Sequence, residues 1–302
     1  MNDSSAAAAA ASAVTGAGES QGMNYLVSLP RRIVTVYAPL AAFLIVLLFP
    51  FYWMIVTTFK PNEELLSREG NPFWVKNPTL AHVKKLLFDT AYPDWLWNTI
   101  LVSVTATFIS LFASVLAAYA VERLRFRSAR YVGMSIFLAY LVPPSILFIP
   151  LAAVIYKLQL FDTRLALILT YPTFLIPFAT WLLMGYFKSI PIELEECALI
   201  DGATRLQILV KIILPLAVPG LISAGIFAFT LSWNEFLYAL IFIQDERAIT
   251  VPVGLNLLIY GDVFHWGQLM AASVITTVPV VALYMFIHRW MVEGLAAGSV
   301  KG

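Results

Sequence analysis

The sequence predicts an all-α, polytopic membrane protein built as a bundle of six transmembrane helices. Three observations carry that prediction. Hydrophobic residues make up 60% of the chain and charged ones only 12%, at a mean hydropathy of +0.82, whereas soluble domains carry roughly twice that share of charge. Charge-free stretches long enough to cross about 30 Å of hydrocarbon recur along the sequence. The basic residues between them fall unevenly on the two sides. A net charge of +1 argues against a nucleic-acid partner, and a single cysteine, Cys197, excludes an intrachain disulfide.

The chain opens with a tail, 1–29, holding an alanine run at 6–11 followed by Gly, Ser and Thr. No basic region precedes an apolar core there, which argues against a secretory leader. Its composition predicts disorder. The charge-free runs follow at 33–58, 95–121, 131–156, 165–187, 212–234 (continuing past Glu235 to 243) and 266–287. The first is apolar throughout, and its Phe49, Phe51, Tyr52 and Trp53 read as packing and interfacial belt. The third and fourth hold Pro143, Pro144, Pro150, Pro172 and Pro177, which predict kinks or breaks, tolerated where neighbouring protein satisfies the freed carbonyls.

Orientation follows from the short connections. Arg31 and Arg32, the run Arg123, Arg125, Arg127 and Arg130, then Lys188, Arg205 and Lys211, and finally Arg289 and Lys301 share one side. Lys157, Arg164 and Arg247 lie on the other, with a 59–94 loop whose basic and acidic residues balance. The positive-inside rule then makes both termini and the 188–211 loop cytoplasmic.

Between the fourth and fifth runs, 191–215 is dense in charge: Glu193, Glu195, Glu196, Asp201, Arg205 and Lys211. Such a patch is too costly for the bilayer interior and must lie outside it. Pro191 suits a first helical position, and Leu194, Cys197 and Ala198 at i, i+3, i+4 give a short helix one narrow apolar face. Gly202 can close that helix in the left-handed conformation. Thr204 with Gln207 three residues on reads as a capping box opening a second helix. The two short helices form an elbow at the membrane rim.

This segment resembles the EAA loop of bacterial ABC importer permeases: Glu196-Cys197-Ala198, then Gly202, then Ile212-Ile213-Leu214-Pro215 at the family spacing. Cys197 departs from the pattern's alanine, though both are small and buriable. A-Y-A-V-E-R-L-R-F-R-S-A-R at 118–130, Trp233-Asn234-Glu235-Phe236, Thr250-Val251-Pro252-Val253-Gly254-Leu255 and the ending G-L-A-A-G-S-V-K-G from Gly294 resemble carbohydrate importers of the same kind. Over most of 30–302 the chain resembles the MalG-like subunit of the maltose-type, binding-protein-dependent family. The resemblance implies the type I importer fold and a permease domain over 30–302 with a cytoplasmic coupling loop at 188–214. It also implies a second, MalF-like permease subunit, two ATPase subunits and an extracytoplasmic sugar-binding protein, in a bacterial inner membrane. Glu195, Glu196, Cys197, Ala198, Asp201, Gly202 and Ala203 are then the residues expected at the ATPase, with Glu196, Asp201 and Gly202 foremost. Glu195 and Glu196 read alternatively as a solvated helix face. The C-terminal tail is implied at the ATPase interface and the 245–265 loop at the binding protein.

The chain has no G-x-x-x-x-G-K-[ST] phosphate loop, so ATP hydrolysis is expected on a separate subunit and no cofactor on this one. Glu235 is the acidic residue within reach of a span, and with Trp233 and Asn234 it could hydrogen-bond and stack on a polyol; as an interfacial anchor it would do neither. His82, His265 and His288 are scattered along the sequence, so no metal site is expected. Two alternatives remain open: an importer permease for amino acids or another small polar solute, and an ion-coupled secondary transporter. The second would need ionisable residues in several spans.

Overall fold

In the computed structural model the residues described are 29–67, 70–124, 126–260 and 263–299, with backbone alone at 260, 263–264 and 289–299. The tail expected at 1–29 lies outside them, except that Leu29 already opens the first helix. Up to Val56 the chain forms one compact unit, and from Thr57 onward a second. Helix α1 (Leu29–Phe59) accounts for the described residues of the first unit and ends within the second; it widens into a π turn at Ile33–Tyr37. From Ile33 onward it carries no charge on any side, as suits a helix surrounded by lipid or other apolar chains.

In the second unit α2 (Asn62–Leu66) and α3 (Ala81–Phe88) precede α4 (Tyr92–Arg123). Pro93 and Asp94 in its first turn favour a helix start through a preset φ and the helix dipole. The third run divides into α5 (Ala129–Tyr140) and α6 (Pro144–Lys157), bent by 97°. Pro143 is extended there, at ψ 130°, and Pro144 supplies no N–H, so the α5 ladder cannot continue. The expected break is present. The fourth run is interrupted only at Tyr171, between α7 (Arg164–Thr170) and α8 (Pro172–Ser189), and serves as a single span. Tyr171 keeps helical angles, so Pro172 punctuates the helix without turning it.

The elbow comprises α9 (Glu193–Ile200) and the start of α10 (Arg205–Leu216), followed by α11 (Val218–Trp233). The fifth run holds a second bend, one not predicted from the sequence: α10 and α11 meet at 80°. Pro215 and Pro219 lie one turn apart, so the ladder lacks a donor at each of these two positions, and Ala217 between them leaves the helical region at ψ 5°. Then come α12 (Leu237–Phe242), α13 (Val251–Leu257), a small antiparallel pair β1 (Ile259–Tyr260) and β2 (Val263–Phe264), and α14 (Trp266–Ser299). Among the described residues the candidate spans number four, or up to the six that the sequence predicts if each bent pair is one span.

Two buried clusters organise this unit. One gathers Tyr92, Trp95, Val102, Leu167, Tyr171, Leu175, Tyr238, Phe242, Val251 and Ala271. The other gathers Val115, Tyr119, Leu183, Phe187, Ile208, Ile213 and Ala224. Helices α4 and α8 run through both. Buried Ser103, Ser110 and Ser114 keep α4 slim between the clusters, the usual way to bring membrane helices close. At the far end of α4, Trp95 Nε1 donates to the Glu246 carbonyl (2.7 Å) and Asn98 Nδ2 to those of Arg247 and Ile249 (both 2.8 Å), while Thr99 Oγ1 accepts from the Val251 N–H (2.8 Å). These bonds fix the loop before α13.

Helices α8 and α11 meet where Gly220 lies under the Tyr186 ring, too close to admit a Cβ. Gly220→Ala is expected to destabilise the protein by about 1–3 kcal/mol through overpacking. Thermal unfolding in detergent reads this as a lowered midpoint; an unchanged midpoint would mean the helices have room to spare.

Candidate functional site

The elbow is built from local signals. Helix α9 begins at Glu193, so Pro191 sits before the helix rather than in it, and Glu193, Glu195 and Glu196 occupy the first turn, where the dipole favours negative charge. At its other end Gly202 adopts φ +81°. The Ala203 N–H reaches the Ala198 carbonyl (2.9 Å) and the Gly202 N–H that of Leu199 (3.1 Å), the pairing of a Schellman motif. Thr204 then opens α10 through the capping box: its backbone N–H donates to Gln207 Oε1 (2.8 Å) while the Gln207 N–H donates to Thr204 Oγ1 (3.3 Å). The sequence located both caps.

The buried face of α9 is another matter. Leu194 and Cys197, expected to form its apolar stripe, are exposed, and Ala198 is only half-buried. The one buried residue of α9 is Glu195, with no exposed surface. Arg123, at the end of α4, brings Nε to 3.3 Å from Glu195 Oε1, and Arg205 approaches Oε2 at 3.5 Å. Both are ion-pair distances, without the alignment of a hydrogen bond. The other arm of the Arg123 guanidinium donates to the Phe187 carbonyl and, at 2.6 Å, to that of Ile190, beyond the end of α8. The Phe187 carbonyl, which also accepts from the Ile190 N–H (3.1 Å), and the Ile190 carbonyl lie at the helix end, and a planar fork can serve a carboxylate and a helix end together. Tyr119 Oη, one turn back on α4, reaches the Arg205 carbonyl at 3.4 Å.

Glu195 and Glu196, expected together at the ATPase, are therefore separated: Glu195 faces the bundle, while Glu196, Cys197, Asp201 and Gly202 face out and Ala198 and Ala203 pack partly against the second cluster. In the sequence Arg123 stands only among the basic residues of its side and within the 118–130 segment, with no sign of a partner in α9. The available signal was its position, the last residue of a long span and the first charge in a run of four arginines.

The second candidate group does not converge on a common space. Trp233 is buried against Phe229 (centroids 5.2 Å) and lines an apolar groove of α4, α11 and α14. Asn234 is exposed and bonds back to the Thr230 carbonyl at 2.8 Å. The Glu235 oxygens are engaged inside: Oε1 accepts from the Tyr238 N–H (2.8 Å), and Oε2 from Tyr171 Oη (2.9 Å) and the Ala239 N–H (3.2 Å). Glu235 thus caps α12 and ties it to the α7–α8 junction, a role visible only once Tyr171 is in place. Tyr238 Oη continues the chain to the Pro144 carbonyl (3.1 Å), at the break in the third span. The histidines are less scattered than their sequence positions. His82 and His265 line one pocket of about 280 Å³ beside Lys85 and Gln268, although His82 Nε2 is taken up by the Lys60 carbonyl (2.8 Å). No group of metal-ligating residues occurs among the described residues.

The described residues form a helical bundle of candidate membrane spans, two of them sharply bent, with a short helical elbow at one end. In fold the chain is similar to a subunit of a bacterial ABC transporter that imports the acidic polysaccharide alginate, with a TM-score of 0.76 over 87% of this chain and 98% of that one, at 23% identity. Residues 110–296 match the model of the binding-protein-dependent transport system inner membrane component, and the chain belongs to that family. It is 40% identical to the inner membrane ABC transporter permease protein YcjP of Escherichia coli (88% of this chain, 95% of that one). It is 37% identical to the trehalose/maltose transport system permease protein MalG of Thermococcus litoralis (91% and 98%). Members of the family are the membrane subunits of ABC importers, with ATP hydrolysis on a separate subunit.

If Glu235 is a cap and tie, Glu235→Ala lowers stability by about 1.5–3 kcal/mol, the range for hydrogen bonds to a charged group. Thermal unfolding in lipid checks this. An unshifted midpoint with altered solute selectivity would instead place Glu235 on the transport path.

Proposed function

We propose that this chain is one of two membrane subunits of an ATP-driven, binding-protein-dependent sugar importer. It moves solute inward by alternating access, with ligand shifting a balance between existing conformations. Several relatives named for sugar transport, among them the trehalose/maltose and diacetylchitobiose permeases, support the solute class. The excess of positive charge on the connections flanking the elbow supports its placement on the cytoplasmic side with both termini.

One observation carries the coupling role. The elbow's outward surface combines exposed Ile200 (85%) and Leu206 (66%) with the carboxylates of Glu196 and Asp201. Exposed apolar side chains rimmed by charge suit a protein partner, and Glu196 can add a charge-assisted hydrogen bond. The partner in this reading is the ATPase subunit. A MalF-like second permease and an extracytoplasmic sugar-binding protein complete the assembly, the latter meeting the 245–265 loop.

Gly202 provides the test. At φ +81° a β-branched side chain is strained even though the space around it is open. Gly202→Val is expected to abolish co-purification of the ATPase subunit with the tagged chain while the bundle still accumulates in the membrane; full retention would overturn the docking role. Uptake of a panel of labelled mono- and disaccharides in a strain lacking the gene, with and without the gene restored, is expected to reveal loss of one sugar class. Uptake of every sugar at wild-type rates would contradict the proposed solute.

A further inference from the structure

The inner ends of three spans meet at one carboxylate. Glu195 is the sole buried side chain of α9, and its partners are Arg123 at the end of α4 and Arg205 at the start of α10. Arg123 in turn holds the Phe187 and Ile190 carbonyls at the end of α8. Besides the direct chain link at 190–192 to α8, two routes lead from the elbow into the bundle. One runs through α10 into α11 and crosses the 80° bend at Ala217, where a proline on either side removes a ladder donor. The other runs from Glu195 through Arg123 into α4, an unbroken helix that contributes buried residues to both core clusters.

A bend lacking two ladder bonds absorbs rotation, whereas a continuous helix passes it on. From this we infer that Glu195 and Arg123 are positioning residues that lock the elbow to α4, so that displacement of the elbow moves α4 and α8 as one body while the 80° bend yields. This inference rests on the coupling role proposed above. It also reassigns Glu195, which clamps the elbow from within instead of meeting the ATPase.

The test uses the assembled transporter, this chain with its co-expressed partner subunits in lipid nanodiscs. Cys197→Ala removes the native thiol. Spin labels are then placed at exposed Glu193 on α9 and exposed Phe108 on α4, or at Glu193 and exposed Phe227 on α11. Between the nucleotide-free and ATP–vanadate states, the Glu193–Phe108 separation is expected to stay fixed while Glu193–Phe227 shifts. With Glu195→Gln the Glu193–Phe108 separation is expected to shift as well, with the ATPase subunit still bound. Where that variant does not assemble, Glu195→Asp, charged but shorter, carries the same comparison. A Glu193–Phe108 distance that shifts in the otherwise native chain, or that stays fixed when Glu195 is substituted, overturns the inference. Loss of the ATPase subunit from Glu195→Gln but not from Gly202→Val would overturn it too, by making Glu195 the docking residue. Failure of the underlying coupling role looks different: neither label pair would respond to nucleotide in any variant.

Discussion

A fully buried carboxylate held between two guanidinium groups fixes the geometry of this protein's protruding elbow. Moving Glu195 out of water costs several kcal/mol, recovered only if opposite charge stays close. Arg123 and Arg205 provide it at 3.3 and 3.5 Å. Such an arrangement adds little net stability over apolar packing, yet it is intolerant of separation, since losing one partner from a buried pair costs about 3–5 kcal/mol. It therefore specifies position more than it stabilises. Helix α9, at 8 residues, is too short to persist alone. Its orientation depends on this clamp, on the Schellman closure at Gly202 and on the capping box at Thr204.

The clamp gives meaning to the two bent spans. Bends are costly within hydrocarbon unless protein satisfies the freed backbone groups. At the third span Tyr238 Oη meets the Pro144 carbonyl, and Tyr238 belongs to the α12 segment capped by Glu235, which also accepts from Tyr171. One end of the bundle is thus tied by hydroxyl, carboxylate and backbone bonds around Glu235, and the other by the ion pairs around Glu195. Helix α4 connects them, with serines facing its neighbours along the middle. A bundle tied at both ends around one unbroken helix can move as a few stiff pieces, as alternating access between two faces requires.

Much of this was legible in the sequence, and what was hidden shares a physical cause. Composition and charge-free runs give the spans because lipid imposes a length and a polarity on every crossing segment. Gly202, Thr204 and Gln207 give the elbow because caps are local chemistry. The break at Pro143–Pro144 follows from a missing donor. The same logic holds at Pro215 and Pro219, which lie inside the apolar run 212–234 and mark the second bend. Glu195 and Glu196 are neighbours of one type, and only the approach of Arg123, 72 positions earlier in the sequence (195 − 123), decides which turns inward. Glu235 resembled a path residue for the same reason: its hydrogen-bond partner Tyr171 comes from another span. Long-range pairing of polar groups leaves no local pattern to read.

Native Cys197, exposed on α9 beside Glu196, permits the most direct measurement of whether this elbow is where a cytoplasmic motor grips the bundle. A photoactivatable cross-linker attached to it in inside-out vesicles, followed by assembly with the co-expressed ATPase subunit and illumination, is predicted to capture that subunit, with no reaction from a membrane-impermeant thiol reagent in right-side-out vesicles. Labelling from the outer face, or a bound ATPase subunit that is never captured from Cys197, would contradict the account.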